Sequence, residues 1–338
     1  MTSPFATMPK VELHLHLEGA IPLPAMWELV ERHGGDPSVT TPDDLVDRFA
    51  YTSFAHFIDT WVWKNRFLDT YEAFEFAAAA VARHLVEQHI VYAEAFFSPT
   101  DFGNFGLAPA ELALAIRRGL DQVAGTEIAL IVDLVRDAGS ERAARTFDQV
   151  AEVASDAGII GIGIGGSEAE YPPELFTAVY RRAGRRGFRL TAHAGEAAGA
   201  RSVWGALRSL GVERIGHGVR SVEDSALVEH LVDKRIVLEV CPTSNLRTGV
   251  VADWEAHPAR TLITAGALVT INTDDPAMFH CSLAGEYDQL VSRFGLDRNA
   301  VRRIASNAID GSWASETTRQ RLHNDQDAWW SSAASEAG

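Results

Sequence analysis

The sequence predicts an α/β fold, a closed (β/α)8 or TIM barrel with inserted helices after the first strand. Three observations support this prediction. Eight short apolar segments occur along the chain, and most are followed by a segment with the 3.6-residue periodicity of a helix. The apolar segments are nearly continuous, which is typical of parallel strands that are covered on both faces. Eight such strand and helix units are the number that closes into a barrel.

The predicted elements follow one another in a regular order. The strands are expected at residues 11–17, 90–97, 127–135, 159–165, 189–193, 214–217, 236–240 and 268–273. Helical periodicity is found at residues 70–88, 108–123, 141–157, 173–184 and 197–210. All 338 residues are expected to form a single domain, since this length suits one barrel.

An aromatic-rich helical segment at 41–70 interrupts this order after the first strand. Its aromatic residues are Phe49, Phe54, Phe57, Trp61, Trp63 and Phe67. We expect them to pack as an ordinary core beneath inserted helices. The alternative is a lid over an aromatic substrate.

The first strand carries two histidines, His14 and His16, in a run of alternating apolar residues. Side chains two positions apart point to the same face of a strand, so both imidazoles would aim at one point. An ion of the Zn²⁺ class needs this from half of its coordination shell. On its own, the pattern fits ordinary core or surface histidines equally well.

Three later strands also end in side chains that can bind a metal ion, either histidines or carboxylates. They are His193 with Glu196 close behind it, His217 between two glycines, and the adjacent pair Asp274 and Asp275. Adjacent carboxylates repel each other unless a cation or a proton lies between them. Each segment alone has an ordinary structural explanation. Because the carboxyl ends of barrel strands meet at one face, we expect these side chains and His16 to lie together.

These residues lie in the four segments MPKVELHLHLEGAIP, HAGE, IGHG and NTDDP, and a fifth segment, EVCPTSN, stands between the last two. Their order and spacing resemble the adenosine/adenine deaminase family of metal-dependent aminohydrolases over about residues 8–310. The resemblance implies one Zn²⁺ per chain, with the ligands His14, His16, His193 and Asp274. It also implies that Glu196 donates a proton to the purine ring. By the same match, His217 and Asp275 handle the attacking water and the backbone amide of Gly166 binds the purine.

The chemistry of deamination agrees with such a site. Hydrolysis of an aromatic amine needs hydroxide near pH 7, and a metal supplies it by lowering the pKa of water from 15.7 to about 7. Attack on the ring carbon moves electrons onto the ring nitrogen, so a carboxylic acid such as Glu196 must deliver a proton there. A second metal would need a bridging carboxylate or a modified lysine from the fourth strand, and residues 158–166 contain neither.

Two positions bear on the substrate, and they disagree. Nucleoside deaminases of the family resemble H-x-H-L-D-G, in which the Asp contacts the ribose. This chain has the longer Glu18, as adenine deaminases do. In contrast, Gly165 and Gly166 resemble the nucleoside-type turn rather than the Asp-Ser pair of base deaminases. We expect a 6-aminopurine that contacts Glu18, Gly166 and Asp275, with adenosine or an adenosine-type nucleoside first. The alternatives are adenine and a ribose-modified adenosine such as 6-aminodeoxyfutalosine.

Composition excludes several other classes of protein. A net charge of −16 argues against nucleic-acid binding, which needs basic patches. Residues 1–10 lack the apolar core of a signal peptide, and no apolar run reaches the length of about 18 residues that a membrane span needs. With only two cysteines, a cytoplasmic protein is expected. The sequence does not predict an oligomeric state. A non-catalytic zinc-stabilised barrel and a metallohydrolase that cleaves esters or cyclic amides remain open.

Overall fold

Eight parallel strands form a nearly closed barrel surrounded by helices, which confirms the predicted (β/α)8 fold. The structure is a computed structural model that describes residues 3–51 and 54–335. The strands lie in sequence order around one sheet. They are β1 (Lys10–His16), β2 (Ile90–Phe97), β3 (Glu127–Asp133), β4 (Ile159–Gly163), β5 (Arg189–Ala194), β6 (Arg214–His217), β7 (Val237–Val240) and β8 (Leu268–Ile271).

The helices of the described residues cover the outside of the barrel or fill its connections. They are α1 (Leu23–Arg32), α2 (Pro42–Arg48), α3 (Phe54–Asn65), α4 (Tyr71–Glu87), α5 (Pro109–Leu120), α6 (Gly139–Glu152), α7 (Ala154–Ala157), α8 (Thr177–Arg185), α9 (Ala200–Gly205), α10 (Ser225–Asp233), α11 (Pro242–Arg247), α12 (Ala259–Thr264), α13 (Pro276–Phe279), α14 (Leu283–Ser292), α15 (Arg298–Gly311) and α16 (Glu316–Ser335).

Several predicted element ends are wrong by a few residues. The predicted strands at 127–135, 159–165 and 268–273 end two residues early, because the chain leaves the sheet there to form loops. In the first of these loops, Val135 has a φ of 44° and cannot continue a strand. The predicted helix 141–157 is divided between α6 and α7. The predicted helix 197–210 begins only at Ala200 and ends in a π-helical turn, Ala206–Leu210.

The seam between β8 and β1 sets the position of the predicted metal ligands. Leu15 and Asp274 form a parallel bridge, in which the backbone N–H of Asp274 donates to the carbonyl of His14 at 2.9 Å. The N–H of His16 donates in turn to the carbonyl of Asp274 at 2.8 Å. Closure of the barrel therefore brings both histidines of β1 beside the carboxylate that follows β8.

The aromatic insertion packs into the core, as expected. Phe49, Phe57, Trp63 and Phe67 are all buried. Phe57 stacks on Phe279 of α13, with 5.2 Å between the ring centroids, which fixes the insertion against the short helix that follows β8. The side chain of Phe54 lies outside the described residues. Among the helices that the structure describes, none has both the length and the apolar character to cross a membrane.

Candidate metal-centred active site

Three imidazoles and one carboxylate converge at the carboxyl end of the barrel. The Nε2 atom of His193 lies 3.0 Å from Nε2 of His14 and 3.1 Å from Nε2 of His16. The Oδ1 atom of Asp274 lies 3.4 Å from Nε2 of His14 and 3.3 Å from Nε2 of His16. All four side chains are buried.

This arrangement fits a metal ion. Zinc binds nitrogen and oxygen ligands at about 2.0–2.2 Å, so ligand atoms around one ion lie roughly 3–3.5 Å apart. The four contacts among these side chains, 3.0–3.4 Å, fall in that range. Three ring nitrogens that face one another cannot all be satisfied by shared protons, whereas a single cation satisfies them together. A set of three nitrogens and one carboxylate oxygen suits Zn²⁺ and similar ions.

The charges of the cluster also favour a bound metal ion. Burial lowers the pKa of His14, but its contacts with Asp274 and Glu239 outweigh that effect and raise the pKa to about 10. Burial likewise lowers the pKa of His16, yet Asp274 and Asp275 raise it to about 9. The carboxylates therefore favour positive charge at this point. A metal cation can provide that charge in place of protons.

His217 lies at the edge of the cluster and offers a second possible ligand set. One ligand atom from each of His14, His193, His217 and Asp274 can be chosen so that all lie within 4.8 Å of one another. However, Nε2 of His217 is 3.9 Å from Oδ2 of Asp274 and 3.6 Å from Oε2 of Glu196. The shorter contacts of His16 favour His16 as the fourth ligand.

The orientation of His217 is fixed by a residue that was not predicted from the sequence. The side-chain amide of Asn245, at the end of the EVCPTSN segment, lies 3.1 Å from Nδ1 of His217. Burial lowers the pKa of His217 to about 3, so its ring is neutral at pH 7. If the amide donates to Nδ1, the proton of the ring is on Nε2 and points into the site.

The two adjacent carboxylates after β8 have different surroundings. Asp274 accepts a hydrogen bond from Oγ of Ser244 at 2.6 Å on Oδ2, which leaves Oδ1 for the histidines. Asp275 is buried, and its Oδ1 has no hydrogen-bond partner. Burial and the charge of Asp274 raise the pKa of Asp275 to about 7. Asp275 packs against Gly19, where any Cβ would overlap with its carboxylate, so the glycine is required.

Glu196 lies beside the cluster in the loop after β5. Burial raises its pKa to about 8, and the charges of Asp274 and Glu168 act in the same direction. A carboxyl group with this pKa carries a proton at pH 7, which is the requirement for a general acid. Glu196 was predicted from the sequence, whereas the neighbouring Glu168 was not.

The residues predicted to contact substrate, Glu18, Gly166 and Asp275, follow β1, β4 and β8. One oxygen of Glu18 accepts from the backbone N–H of Ser98 at 2.9 Å, while Oε2 is buried without a partner. Lys64 of the aromatic insertion is buried too, and the charges of Glu18 and Asp275 act on it. Burial lowers the pKa of Lys64 to about 8. No local sequence pattern marks Lys64, because only the folded insertion brings it to the site.

Gly166 has a φ of 96°, which favours glycine there whatever the substrate.

A series of buried ion pairs, formed by Glu239, Arg214 and Glu94, holds the ring of His14 in place. Nδ1 of His14 lies 2.8 Å from Oε2 of Glu239, the carboxylate–histidine arrangement that orients metal ligands. The other oxygen of Glu239 lies 2.6 Å from Nε of Arg214, and Nη1 of Arg214 lies 2.6 Å from Oε2 of Glu94. Arg214 also covers the ring of Trp313. Glu239 stands in EVCPTSN, so that motif contained the signal for this support.

Replacing Arg214 by methionine is expected to reduce the free energy of unfolding by about 3–5 kcal/mol, because Glu94 would be left as a buried carboxylate without a cation and Glu239 would keep only His14. Urea denaturation of the parent and the variant measures the difference. The exposed Arg201, replaced in the same way, is the control and should change stability by less than about 0.5 kcal/mol. Equal stability of the two variants would contradict the role assigned to Arg214.

Residues 9–329 match the sequence profile of the family described as adenosine deaminase. The chain belongs to the adenosine deaminase family. Among curated members, it is 35% identical to an aminodeoxyfutalosine deaminase of Streptomyces coelicolor, over 96% of this chain and 85% of that protein. It is also 35% identical to an adenine deaminase of Bordetella parapertussis, over 91% of this chain and 97% of that protein.

Solved structures of similar proteins agree with the fold. An adenine deaminase from Arthrobacter aurescens superposes with a TM-score of 0.88 at 30% identity, covering 96% of this chain and 99% of that one. An amidohydrolase from Burkholderia ambifaria with bound Zn has a TM-score of 0.89 at 28% identity, covering 98% of this chain and 93% of that one. The chain is therefore a metal-dependent hydrolytic deaminase of the adenosine deaminase family, and its chemistry is the deamination of an aminopurine.

Proposed function

We propose that the chain uses one Zn²⁺, held by His14, His16, His193 and Asp274, to deaminate an adenosine-type nucleoside and release ammonia. The observation that carries the proposal is the convergence of these four ligand atoms within 3.0–3.4 Å contacts beside the buried Glu196. A closed structural zinc site would not need a protonated carboxyl group next to it. When bound, the metal would lower the pKa of water, so that hydroxide is available near pH 7 to attack C6 of the purine.

The side chains around the cluster divide the proton transfers between them. Glu196, protonated at pH 7, would deliver its proton to the ring nitrogen next to the attacked carbon. Asp275, whose Oδ1 has no partner, would accept the proton of the attacking water and pass it to the departing amine. His217 would donate a hydrogen bond from Nε2 to the attacking oxygen, because Asn245 occupies its Nδ1. The backbone amide of Gly166 is proposed to hold the purine.

Two features support a substituent on the purine. The turn at Gly165 and Gly166 resembles the turn of nucleoside deaminases rather than the Asp-Ser pair of base deaminases. Oε2 of Glu18 is buried and unpaired, and can accept a hydrogen bond from a ribose hydroxyl. The similarity to an aminodeoxyfutalosine deaminase also favours a nucleoside, including one modified on the ribose.

Adenine is the second candidate. Glu18 is one methylene longer than the Asp expected for ribose contact, and the relatives at 35% identity include adenine deaminases. The N–H of the imidazole ring of free adenine could donate to Glu18 instead of a ribose hydroxyl.

Ammonia release from adenine, adenosine, deoxyadenosine and 6-aminodeoxyfutalosine by the metal-loaded enzyme tests the proposal. We expect the highest kcat/KM on one of the three nucleosides. A highest kcat/KM on adenine would support the second candidate, and no release from any of the four would contradict both.

The Glu18→Asp variant is expected to shift preference toward plain adenosine over adenine. Shortening the side chain by one methylene opens space beyond the purine, and such a change is worth about 10- to 200-fold in specificity. The ratio of kcat/KM on the two substrates measures the shift, with the exposed Glu31→Asp as a control. An unchanged ratio would show that Glu18 does not set specificity.

We further propose that residues 1–338 act as one cytoplasmic deaminase domain. The family match over residues 9–329 supports a single unit. Both cysteines, Cys241 and Cys281, are free thiols, which agrees with a reducing compartment.

A further inference from the structure

The loop that carries Glu196 is folded around another carboxylate. Glu168, in the loop after β4, is buried, and its Oε1 accepts from the backbone N–H of Gly195 at 2.5 Å. Its Oε2 accepts from the N–H of Glu196 at 3.1 Å and from the N–H of Ala198 at 2.8 Å. One side chain therefore binds three backbone amides within four consecutive residues.

These three N–H groups belong to no strand or helix. They lie between the end of β5 at Ala194 and the start of α9 at Ala200. Buried backbone N–H groups require a partner, and hydrogen bonds to a charged acceptor are stronger than neutral ones. Gly195 has a φ of 70°, in the left-handed region that favours glycine, and a Cβ at this position would lie 2.5 Å from Cγ2 of Val203. The conformation of the loop thus depends on the carboxylate at its centre.

Arg136 completes the arrangement from the end of β3. Its guanidinium donates to the carbonyl of Tyr171 at 2.7 Å and to the carbonyl of His193. Its charge attracts that of Glu168, which offsets the cost of burying both groups. His193 and Glu196, which lie on opposite sides of Gly195, are thereby held by charged side chains from the two preceding strand ends.

We propose that Glu168 is a positioning residue that fixes Glu196 for proton transfer by holding the backbone of residues 195–198. The inference rests on the proposed role of Glu196 as the proton donor. Among the residues that the structure describes, Glu168 makes no hydrogen bond or ion pair with the side chain of a metal ligand. Its effect passes through the backbone of the loop. The charge of Glu168 also helps to keep the proton on Glu196.

Hydrogen exchange of the metal-loaded full chain tests the structural half of the proposal without reference to activity. In the Glu168→Gln variant, an amide NH₂ faces some of the backbone donors, so exchange within residues 194–199 should accelerate about tenfold or more. The matched control is Glu170→Gln, an exposed glutamate of the same loop, which should exchange like the parent. Exchange in Glu168→Gln equal to that of the parent overturns the proposal.

A double-mutant cycle tests the link to Glu196. Glu168→Gln should lower kcat by about 10²-fold with KM little changed, the cost of a misplaced catalytic group. In the Glu196→Gln background, the same change should cost less than about threefold, since the residue being positioned is gone. Equal losses in both backgrounds, at full metal content, overturn the role through Glu196.

A second variant covers the case in which Glu168→Gln does not fold. Glu168→Asp keeps the charge but is one methylene too short to reach all three amides. It should accelerate exchange in the same segment and lower kcat at full metal content. Parent-like exchange and kcat in this variant overturn the proposal. If the parent releases no ammonia from any aminopurine, the proposed function fails, and the exchange experiment still decides whether Glu168 holds the loop.

Discussion

Glu196→Gln is expected to lower kcat/KM on the preferred aminopurine by about 10²–10⁴-fold while the metal and the fold are retained. Loss of a positioned general acid usually costs that much. The glutamine side chain has nearly the same shape, but it cannot deliver a proton to the ring nitrogen. Since burial, Asp274 and Glu168 raise the pKa of Glu196 to about 8, the parent enzyme has the acid form available at pH 7.

Steady-state ammonia release and metal analysis of the same samples measure this effect. The exposed Glu229→Gln on α10 is the matched control and should retain the activity of the parent. If Glu196→Gln keeps activity within a factor of a few of the parent, another group protonates the ring. If it loses the metal as well, Glu196 supports the metal site rather than proton transfer.

His16→Ala is expected to remove both the metal and the activity. Even an outer partner of a metal ligand contributes about 10- to 100-fold to metal affinity, and His16 contacts the other ligand atoms directly at 3.1 and 3.3 Å. Metal content by elemental analysis should fall below about one tenth of the parent value after dialysis against a weak chelator.

His217→Ala distinguishes the two possible ligand sets, because His217 replaces His16 in the alternative. We expect His217→Ala to keep its metal and to lose activity through the attacking water. A surface histidine variant, His84→Ala on α4, is the control for general effects of the substitution. Retention of metal by His16→Ala together with its loss in His217→Ala would establish the alternative set.

The barrel was predictable because its signal is local. Each strand is a short apolar run and most are followed by a periodic helical segment, so the order of elements could be inferred without contacts. The ends of the elements depend on the loops instead. Asp274, with a φ of 64°, leaves the strand direction in order to face the histidines, and the start of α9 is delayed by the loop that surrounds Glu168.

The chemistry-bearing residues at strand ends were predictable for a similar reason, since the topology of a barrel brings strand ends together. The residues around them were not. Lys64 enters the site from an inserted helix, where its ammonium group packs on the ring of Trp61, so its position depends on how that insertion folds. Glu168 and Arg136 act through backbone groups of another loop, and no sequence spacing reveals which backbone a side chain will bind.

Titration of the metal-free chain with Zn²⁺, followed by ammonia release from the preferred aminopurine, tests most directly the claim that one metal ion serves this reaction. We expect activity to be absent without metal, to rise in proportion to added Zn²⁺, and to level off at one equivalent per chain. A break at two equivalents, or full activity without metal, would contradict the assignment of His14, His16, His193 and Asp274 as a single catalytic zinc site.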